Sequence, residues 1–420
     1  MSMTLTYDHT RRASYLGYVT QAIVNNLPPL LFIFFQKQFG LSYEMLGRLV
    51  LINFGTQIVV DVIAVRYVDR IGYRLSAQLA HAFAVLGMLC LAFLPQLLNE
   101  PYLGLVIAMM VTAIGGGLIE VLITPIVDSL PSEGKAGEIV LLHSFYCWGH
   151  MAVIILSTVI ILFLKDSLWW ILPVAWCLIP LLNFFFFAKV PLIEPSDQPA
   201  TFKLRQLFRS RWFLLAMVLM VASGAGEQII AQWSSLFAER GLGVSKFWGD
   251  LLGPSAFAFC MAIARTYYGK NEGRLKLPRI IFLAAITLAV GYLITAFSPW
   301  SFGSLIGIMV CGLGVGIMWP GCSALAGQRF PGGGTPLFGS LAIAGDIGCA
   351  MGPWIAGAVS SAVVINPYAK SFAAARSLGI DELGLKAGIV LGIFFAITLA
   401  IGGWIFMKRP AVQAVPLDEA

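Results

Sequence analysis

Four acids interrupt the apolar stretches of this sequence: Asp61, Glu120, Glu227 and Asp346. A carboxylate in such surroundings costs about 2.5–3.5 kcal/mol on membrane-insertion scales, so it usually faces a cavity or a partner. Desolvation disfavours the charged form, so a carboxyl there can bind and release protons near neutral pH. These residues therefore indicate proton binding, or hydrogen bonding to a polar ligand, within an apolar protein.

Glu120 stands in "GGGLIEVLITP", residues 115–125, where its neighbours are apolar. A carboxyl that is protonated on one side of a membrane and releases its proton on the other couples a proton gradient to movement. We predict this proton-coupling role for Glu120. Two alternatives stay open, since the carboxylate could instead bind only substrate hydroxyls or form structural hydrogen bonds.

Amides and indoles lie near these acids at helical spacing, which places several of them on shared helix faces. Such groups suit a sugar, because amides and carboxylates bind hydroxyls and an aromatic ring covers a C–H face. The alternative is polar contact between helices. The predicted substrate-binding residues are Gln21, Asn25, Glu120, His143, Trp148, Glu227, Gln228, Gln232, Trp233 and Trp319.

Metal, nucleotide and enzymatic sites are not indicated. His143 and His150 are seven residues apart and near one face, but a metal site needs more ligands. The chain has seven cysteines without paired spacing and no phosphate-binding loop. We predict that the chain has no metal and no cofactor and is not an enzyme. A receptor or a scaffold that transports nothing stays an alternative.

The composition indicates whether these residues are surrounded by water or by lipid. The chain has 420 residues, of which 59% are hydrophobic and 11% are charged, and its mean hydropathy is +0.85. Soluble domains carry about 25% charged residues. We predict an all-α protein of the lipid bilayer. Without a basic face or a binding motif, the net charge of +6 does not indicate nucleic-acid binding.

Runs of about 20 apolar residues mark membrane spans, and only helices satisfy the backbone there. We predict twelve spans: 14–36, 44–64, 76–97, 102–128, 138–164, 168–188, 211–238, 246–266, 279–297, 302–327, 336–364 and 386–407.

Lysine and arginine predict the orientation of these spans. Nineteen of the 27 basic residues, Arg265 among them, fall at the termini and in the loops that share their side. We therefore predict a bacterial inner (plasma) membrane protein with both termini cytoplasmic. We also expect it to be a monomer.

A polar segment divides the chain into two halves. We predict an N-terminal six-helix bundle at 1–188, a cytoplasmic linker at 189–210, a C-terminal six-helix bundle at 211–409 and a cytoplasmic tail at 410–420. A shift of 200 residues lays Gly116 on Gly316 and Pro131 on Pro331, which indicates a repeat. Two pseudo-symmetric bundles around a central site form a transporter architecture.

The loop "VRYVDRIGYR", residues 65–74, resembles the signature G-x-x-x-D-R-x-G-R-[RK] of the major facilitator superfamily. Asp69, Arg70, Gly72 and Arg74 match it, whereas Val65 replaces the first glycine. The resemblance implies that Asp69 and Arg70 help to latch the two halves on the cytoplasmic side. Asp346, in a Gly-rich stretch, is predicted as a gating element or a packing device, and Asp61 as part of the loop charge network.

A narrower resemblance covers about 35 residues of spans four and five, "GGGLIEVLITPIVDSLPSEGKAGEIVLLHSFYCWG". It is similar to the fucose permease branch of sugar–proton symporters, and Glu120 falls on that branch's coupling glutamate. Asn25 and Asn26 stand where the branch carries an aspartate.

We therefore predict a secondary active transporter that moves a small polar solute, a sugar, by alternating access with proton symport. Sodium coupling and a proton-antiport exporter of drugs or lipids are the alternatives.

Overall fold

The structure is a computed structural model, and it describes residues 5–41, 43–163, 168–193, 204–245, 248–249, 251–271, 274–376 and 378–408. Across these ranges the chain is helical and no strand occurs. The apolar runs of the sequence account for this result, because a helix satisfies every backbone group without help from a neighbour.

Among the described residues, eight α-helices precede residue 208. They are α1 (Tyr7–Phe39), α2 (Tyr43–Ile71), α3 (Tyr73–Leu97), α4 (Pro101–Ser129), α5 (Lys135–Phe163), α6 (Ile171–Trp176), α7 (Leu178–Lys189) and α8 (Leu204–Leu207).

Nine α-helices follow in the part of the chain that the structure describes, and two π-helical turns, Phe237–Gly241 and Leu251–Ser255, lie among them. The helices are α9 (Arg211–Leu236), α10 (Ala256–Asn271), α11 (Leu277–Phe297), α12 (Ser301–Val315), α13 (Met318–Arg329), α14 (Gly334–Ile365), α15 (Pro367–Ala375), α16 (Ile380–Val390) and α17 (Gly392–Lys408).

Within the described residues, ten helical segments are long and apolar enough to cross a membrane. The predicted first and eighth spans, which correspond to α1 and α10, are not among them. Helix α1 carries the polar residues Gln21, Asn25 and Asn26. Helix α10 has 16 residues, which is fewer than the roughly 20 that a span needs.

The chain divides into two compact units. The first consists of Met1–Leu207 with Phe330–Ile343, and the second of Phe208–Arg329 with Ala344–Ala420. In the first unit, Gly339 of α14 lies against the side chains of Val65 and Val121. The domain boundaries predicted above remain predictions.

Each unit contains one closely packed pair of antiparallel neighbours, α3 with α4 and α11 with α12. Glycines allow this approach, since a Cβ at Gly115 would lie 2.7 Å from the backbone nitrogen of Ala84. In the second unit, a Cβ at Gly314 would lie 2.6 Å from the backbone nitrogen of Leu288. Small residues at helix contacts are the usual means of close packing in a bilayer.

Polar contacts at one end of the first unit hold α1 beside α5. The Arg11 guanidinium donates to Glu138 Oε1 at 3.0 Å and to the carbonyl of Pro131 at 2.6 Å. Further along the two helices, the rings of Tyr15 and Phe145 stack with centroids 4.2 Å apart. These contacts set the register in which the polar residues of α1 and α5 meet.

Candidate functional site

Four polar side chains from three helices form a hydrogen-bonded cluster in the first unit. Gln21 Nε2 of α1 donates to Glu120 Oε2 of α4 at 3.0 Å, and it lies 3.5 Å from Gln57 Oε1 of α2. Gln57 Nε2 in turn donates to Asn25 Oδ1 at 3.1 Å. We call Gln21, Asn25, Gln57 and Glu120 the amide cluster. Gln21 is 2% exposed, whereas Glu120 is partly exposed.

The glycines before Glu120 make room for this cluster. A Cβ at Gly116 would lie 3.3 Å from Gln21 Oε1 and 3.6 Å from Gln57 Cδ. A Cβ at Gly117 would lie 2.8 Å from Asp61 Oδ1. The Gly-rich stretch therefore lets polar side chains of α1 and α2 reach the surface of α4, one turn before the carboxylate.

A second polar group lies one helical turn along α4. The Tyr18 hydroxyl of α1 lies 2.9 Å from Thr124 Oγ1 and 3.0 Å from His143 Nε2. Thr124 Oγ1 is also 3.2 Å from His143 Nε2. All three side chains are buried. His143 therefore lies at the junction of α1, α4 and α5, and Trp148 lies half-buried further along α5.

The second unit contains a buried ion pair. Arg265 Nη2 of α10 donates to Glu227 Oε2 of α9 at 3.0 Å, and the two side chains are 3% and 9% exposed. Arg265 Nε also donates to the carbonyl of Gly316 at 2.7 Å. Gly316 lies where α12 has ended and α13 has not begun. The guanidinium therefore joins α9 and α10 to the interruption between α12 and α13.

Arg265 was counted above among the basic residues of the cytoplasmic loops, and this assignment is wrong. It is 2% exposed and faces a carboxylate of a neighbouring helix. A buried arginine needs such a partner because an isolated charge is very costly to bury. The orientation prediction loses one of its nineteen residues but keeps the same sign.

The remaining residues predicted on α9 have separate surroundings. Gln232 is exposed and donates to Gln228 Oε1 at 3.2 Å, so these two amides share one face. Trp233 Nε1 donates to the carbonyl of Pro353 in α14 at 3.1 Å, and its ring lies against Gly357.

Two further predicted residues, Trp319 and Asp346, lie on α13 and α14. The Trp319 ring of α13 lies against Gly345. Asp346, the next residue of α14, is 2% exposed.

The signature-loop residues lie at the connection between α2 and α3. Gly72 is the single residue between these helices, and its φ of +88° is a conformation that favours glycine. Arg74 donates to the carbonyls of Phe187, Ala188 and Val190 at 2.8–2.9 Å. A cation at the carbonyl end of a helix is favourable, so Arg74 fixes the end of α7.

The other charged residues of this region differ in burial. Arg70 is exposed, with its guanidinium carbon 6.0 Å from the centre of the Tyr67 ring, and Asp69 is half-buried. Asp61 is fully buried beside Gly117 of α4. Arg66 and Arg70, around which the sequence places the loop charge network of Asp61, are both exposed, and the membership of Asp61 in that network remains a prediction.

The pattern that defines the Major Facilitator Superfamily matches residues 14–353, most of the chain. The chain belongs to the major facilitator superfamily. The predicted fold class, an all-α membrane protein with twelve helices in two pseudo-symmetric bundles, is thereby confirmed. Members of this superfamily are transporters, and the chain is an integral membrane protein.

Solved structures share this fold at low sequence identity. The transporter FucP in the outward conformation is 16% identical, covers 94% of this chain and 98% of its own, and gives a TM-score of 0.76. The proton:xylose symporter XylE is 14% identical, covers 98% of both chains and gives 0.77. The human organic anion transporter MFSD10 is 13% identical, covers 94% of this chain and 99% of its own, and gives 0.68. A comparison with curated protein sequences finds no match.

For this superfamily member, sequence reasoning missed four partners: Tyr18, Gln57, Thr124 and Arg265. Gln57 and Arg265 each carried a signal, since both are polar residues inside predicted spans or at their edge. Tyr18 and Thr124 lie one turn from Gln21 and Glu120 on the same helices, so helical spacing pointed to them. Within the described ranges, no group of three His, Cys, Asp or Glu side chains is placed to hold a metal ion.

Proposed function

We propose that this chain is a proton-coupled symporter of a small polar solute, most simply a sugar, in which Glu120 carries the coupling proton. The observation that carries the proposal is the hydrogen bond between Gln21 Nε2 and Glu120 Oε2 at 3.0 Å, between two largely apolar helices of the first unit. The bilayer is its environment, H⁺ its coupling ion, and the cytoplasmic side of the bacterial inner membrane the location of both termini.

The chemistry of the amide cluster suits a carboxyl that changes its protonation state. An ionised carboxylate only accepts hydrogen bonds, whereas a protonated one also donates. A glutamine amide has both a donor and an acceptor, so Gln21 can serve either form by rotating its amide. Glu120 can therefore gain or lose a proton without leaving a buried charge or an unpaired donor beside it.

The same groups suit a ligand rich in hydroxyls. Each hydroxyl donates one hydrogen bond and accepts others, which matches amide and carboxylate partners. Gln228 and Gln232 offer a second pair of amides on one face of α9. The printed descriptions of FucP as the Escherichia coli fucose:proton symporter and of XylE as a proton:xylose symporter support the same solute class and the same ion.

A liposome experiment tests both halves of the proposal. The purified chain is reconstituted into vesicles that contain a pH-sensitive dye, and a panel of neutral monosaccharides is added outside. We expect one sugar to acidify the interior as protons enter with it. Glu120→Gln should still exchange labelled sugar between the two sides but should no longer move protons, since an amide does not titrate.

Three outcomes would redirect the proposal. Acidification that survives Glu120→Gln would leave Glu120 with hydroxyl binding or a structural role. Acidification only in the presence of sodium would indicate sodium coupling. No response to any sugar, together with alkalinisation on adding an apolar cation, would favour the proton-antiport exporter.

A further inference from the structure

A trough runs along the outer surface of the second unit, between α11 and α17. Its cavity volume is about 340 Å³, and every residue that lines it is apolar. The floor consists of small side chains, since Ala285 and Ala396 are fully buried. The rim is formed by larger exposed side chains, Ile286, Ile397 and Trp404.

The small residues recur four apart on both helices, as Ala285 and Ala289 on α11 and Ala396 and Ala400 on α17. Residues at this spacing lie on one face of a helix. The two alanine rows therefore make a straight channel between the larger side chains. Over the eight residues from 282 to 289, the channel is about 10 Å long at a rise of 1.5 Å per residue.

Basic side chains gather at one end of this trough. The two helices run in opposite directions, because Gly403 of α17 lies against the backbone of Phe282 and Gly392 lies against Tyr292. The end of α17 is therefore beside the beginning of α11. The exposed cations there are Arg274, Lys276, Arg279 and Lys408.

These four cations lack carboxylate partners among the described residues, and the Lys408 ammonium instead lies 4.1 Å from the centre of the Trp404 ring. Three of them precede or begin α11, where positive charge opposes the helix dipole. They therefore do not serve the stability of that helix. An anion at this end of the trough would relieve their mutual repulsion.

We propose that this trough binds one acyl chain of an anionic phospholipid, with the headgroup phosphate held by Arg274, Lys276, Arg279 and Lys408. The apolar lining excludes a polar ligand from the channel, and the cations favour a headgroup with net negative charge. Basic residues at the end predicted to be cytoplasmic meet the anionic surface of that leaflet, which attracts them. Phosphatidylglycerol has the required chemistry.

Native mass spectrometry of the full-length chain in detergent tests this site. Dioleoyl phosphatidylglycerol is titrated against dioleoyl phosphatidylcholine, which has the same chains but a neutral headgroup. We expect the phosphatidylglycerol to bind at least 25-fold more tightly. The double variant Arg279→Gln with Lys408→Gln should weaken its binding about 25-fold, since about 1 kcal/mol per charge is about fivefold each.

A second pair of variants separates the trough from the charges. Ala400→Phe fills the channel from α17 and Ala289→Phe fills it from α11; both alanines are partly exposed, so each ring can lie in the open channel. Either variant should weaken phosphatidylglycerol binding about tenfold. The control Lys370→Gln with Arg376→Gln removes two exposed charges, one in α15 and one directly after it, and should leave binding unchanged.

The proposal is overturned if the two lipids bind equally, or if the charge variant binds phosphatidylglycerol as the unmodified chain does. It is also overturned if both filled variants retain full binding, because the headgroup would then bind without the trough. None of these measurements requires transport, so they are independent of the proposed function.

Discussion

Each of the two units holds a glutamate among apolar side chains, and the two glutamates have different hydrogen-bond partners. Glu120 of the first unit accepts a hydrogen bond from a neutral amide and is partly exposed. Glu227 of the second unit accepts from a guanidinium and is 7% exposed. The two positions look alike in the sequence, where each is a lone glutamate within a Gly-rich span.

The two partners differ in the protonation states of the carboxyl group that they can accommodate. An arginine carries five N–H donors, has no acceptor and stays protonated. Protonation of Glu227 would leave the Arg265 guanidinium buried beside a neutral acid, with no opposite charge to compensate it. A glutamine serves a carboxyl in either protonation state. From this comparison we expect Glu120 to exchange protons and Glu227 to keep a fixed charge.

The largest effect is expected for Glu120→Gln. Proton movement driven by sugar should fall at least a hundredfold, while exchange of labelled sugar persists, because the amide preserves hydrogen bonding but cannot titrate. Internal pH and counterflow in vesicles are the two measurements. Glu100→Gln, which alters an exposed acid between α3 and α4, is the matched control. Loss of exchange and proton movement together would place Glu120 in binding rather than coupling.

Arg265→Gln tests whether the charge of Glu227 depends on its guanidinium partner. Removing one partner of a buried pair costs about 3–5 kcal/mol, since the other charge is left uncompensated. We expect a loss of that size in the free energy of unfolding of the detergent-solubilised chain. Adding Glu227→Gln should recover most of the stability by neutralising the second charge. A single variant as stable as the unmodified chain would show that Glu227 does not depend on this guanidinium.

Gln21→Met should have an intermediate effect. Methionine keeps a similar length but offers no N–H to Glu120, and the loss of a hydrogen bond to a carboxyl costs about 1–3 kcal/mol. We expect proton-driven uptake to fall between about fivefold and a hundredfold. Gln96→Met, which alters an exposed amide near the end of α3, is the control. Equal losses in the two variants would remove the special role of the amide beside Glu120.

Tyr18→Phe should have the smallest effect. The change removes one hydroxyl from the buried group with Thr124 and His143 and preserves the ring. A typical hydrogen bond of this kind contributes about 1 kcal/mol. The free energy of unfolding should fall by about that amount, while the ratio of protons to sugar stays constant. A changed ratio would extend the coupling machinery from Glu120 to His143.

Composition and periodicity alone determined the helices of this protein. A chain with 59% hydrophobic residues has to satisfy its backbone within helices in a bilayer, so the positions of the spans follow from local sequence. Charged residues are rare in such a chain, so Glu120 and Glu227 could be recognised from the sequence as candidate functional residues. Gln21 and Asn25, four residues apart, could be assigned to one face because helical spacing is a local property.

Only the tertiary structure decided the partners of these acids. Partner choice depends on the rotation and depth of each helix against its neighbours, and these are set by many contacts, such as the close approach of Gly115 to Ala84. The packing of the helices places Gln57 of α2 beside Asn25 of α1, and Gln57 therefore belongs to the amide cluster. Arg265, which the sequence analysis counted as a loop residue, is the buried partner of Glu227. Local sequence patterns could not predict this pair, because its two residues are 38 positions apart.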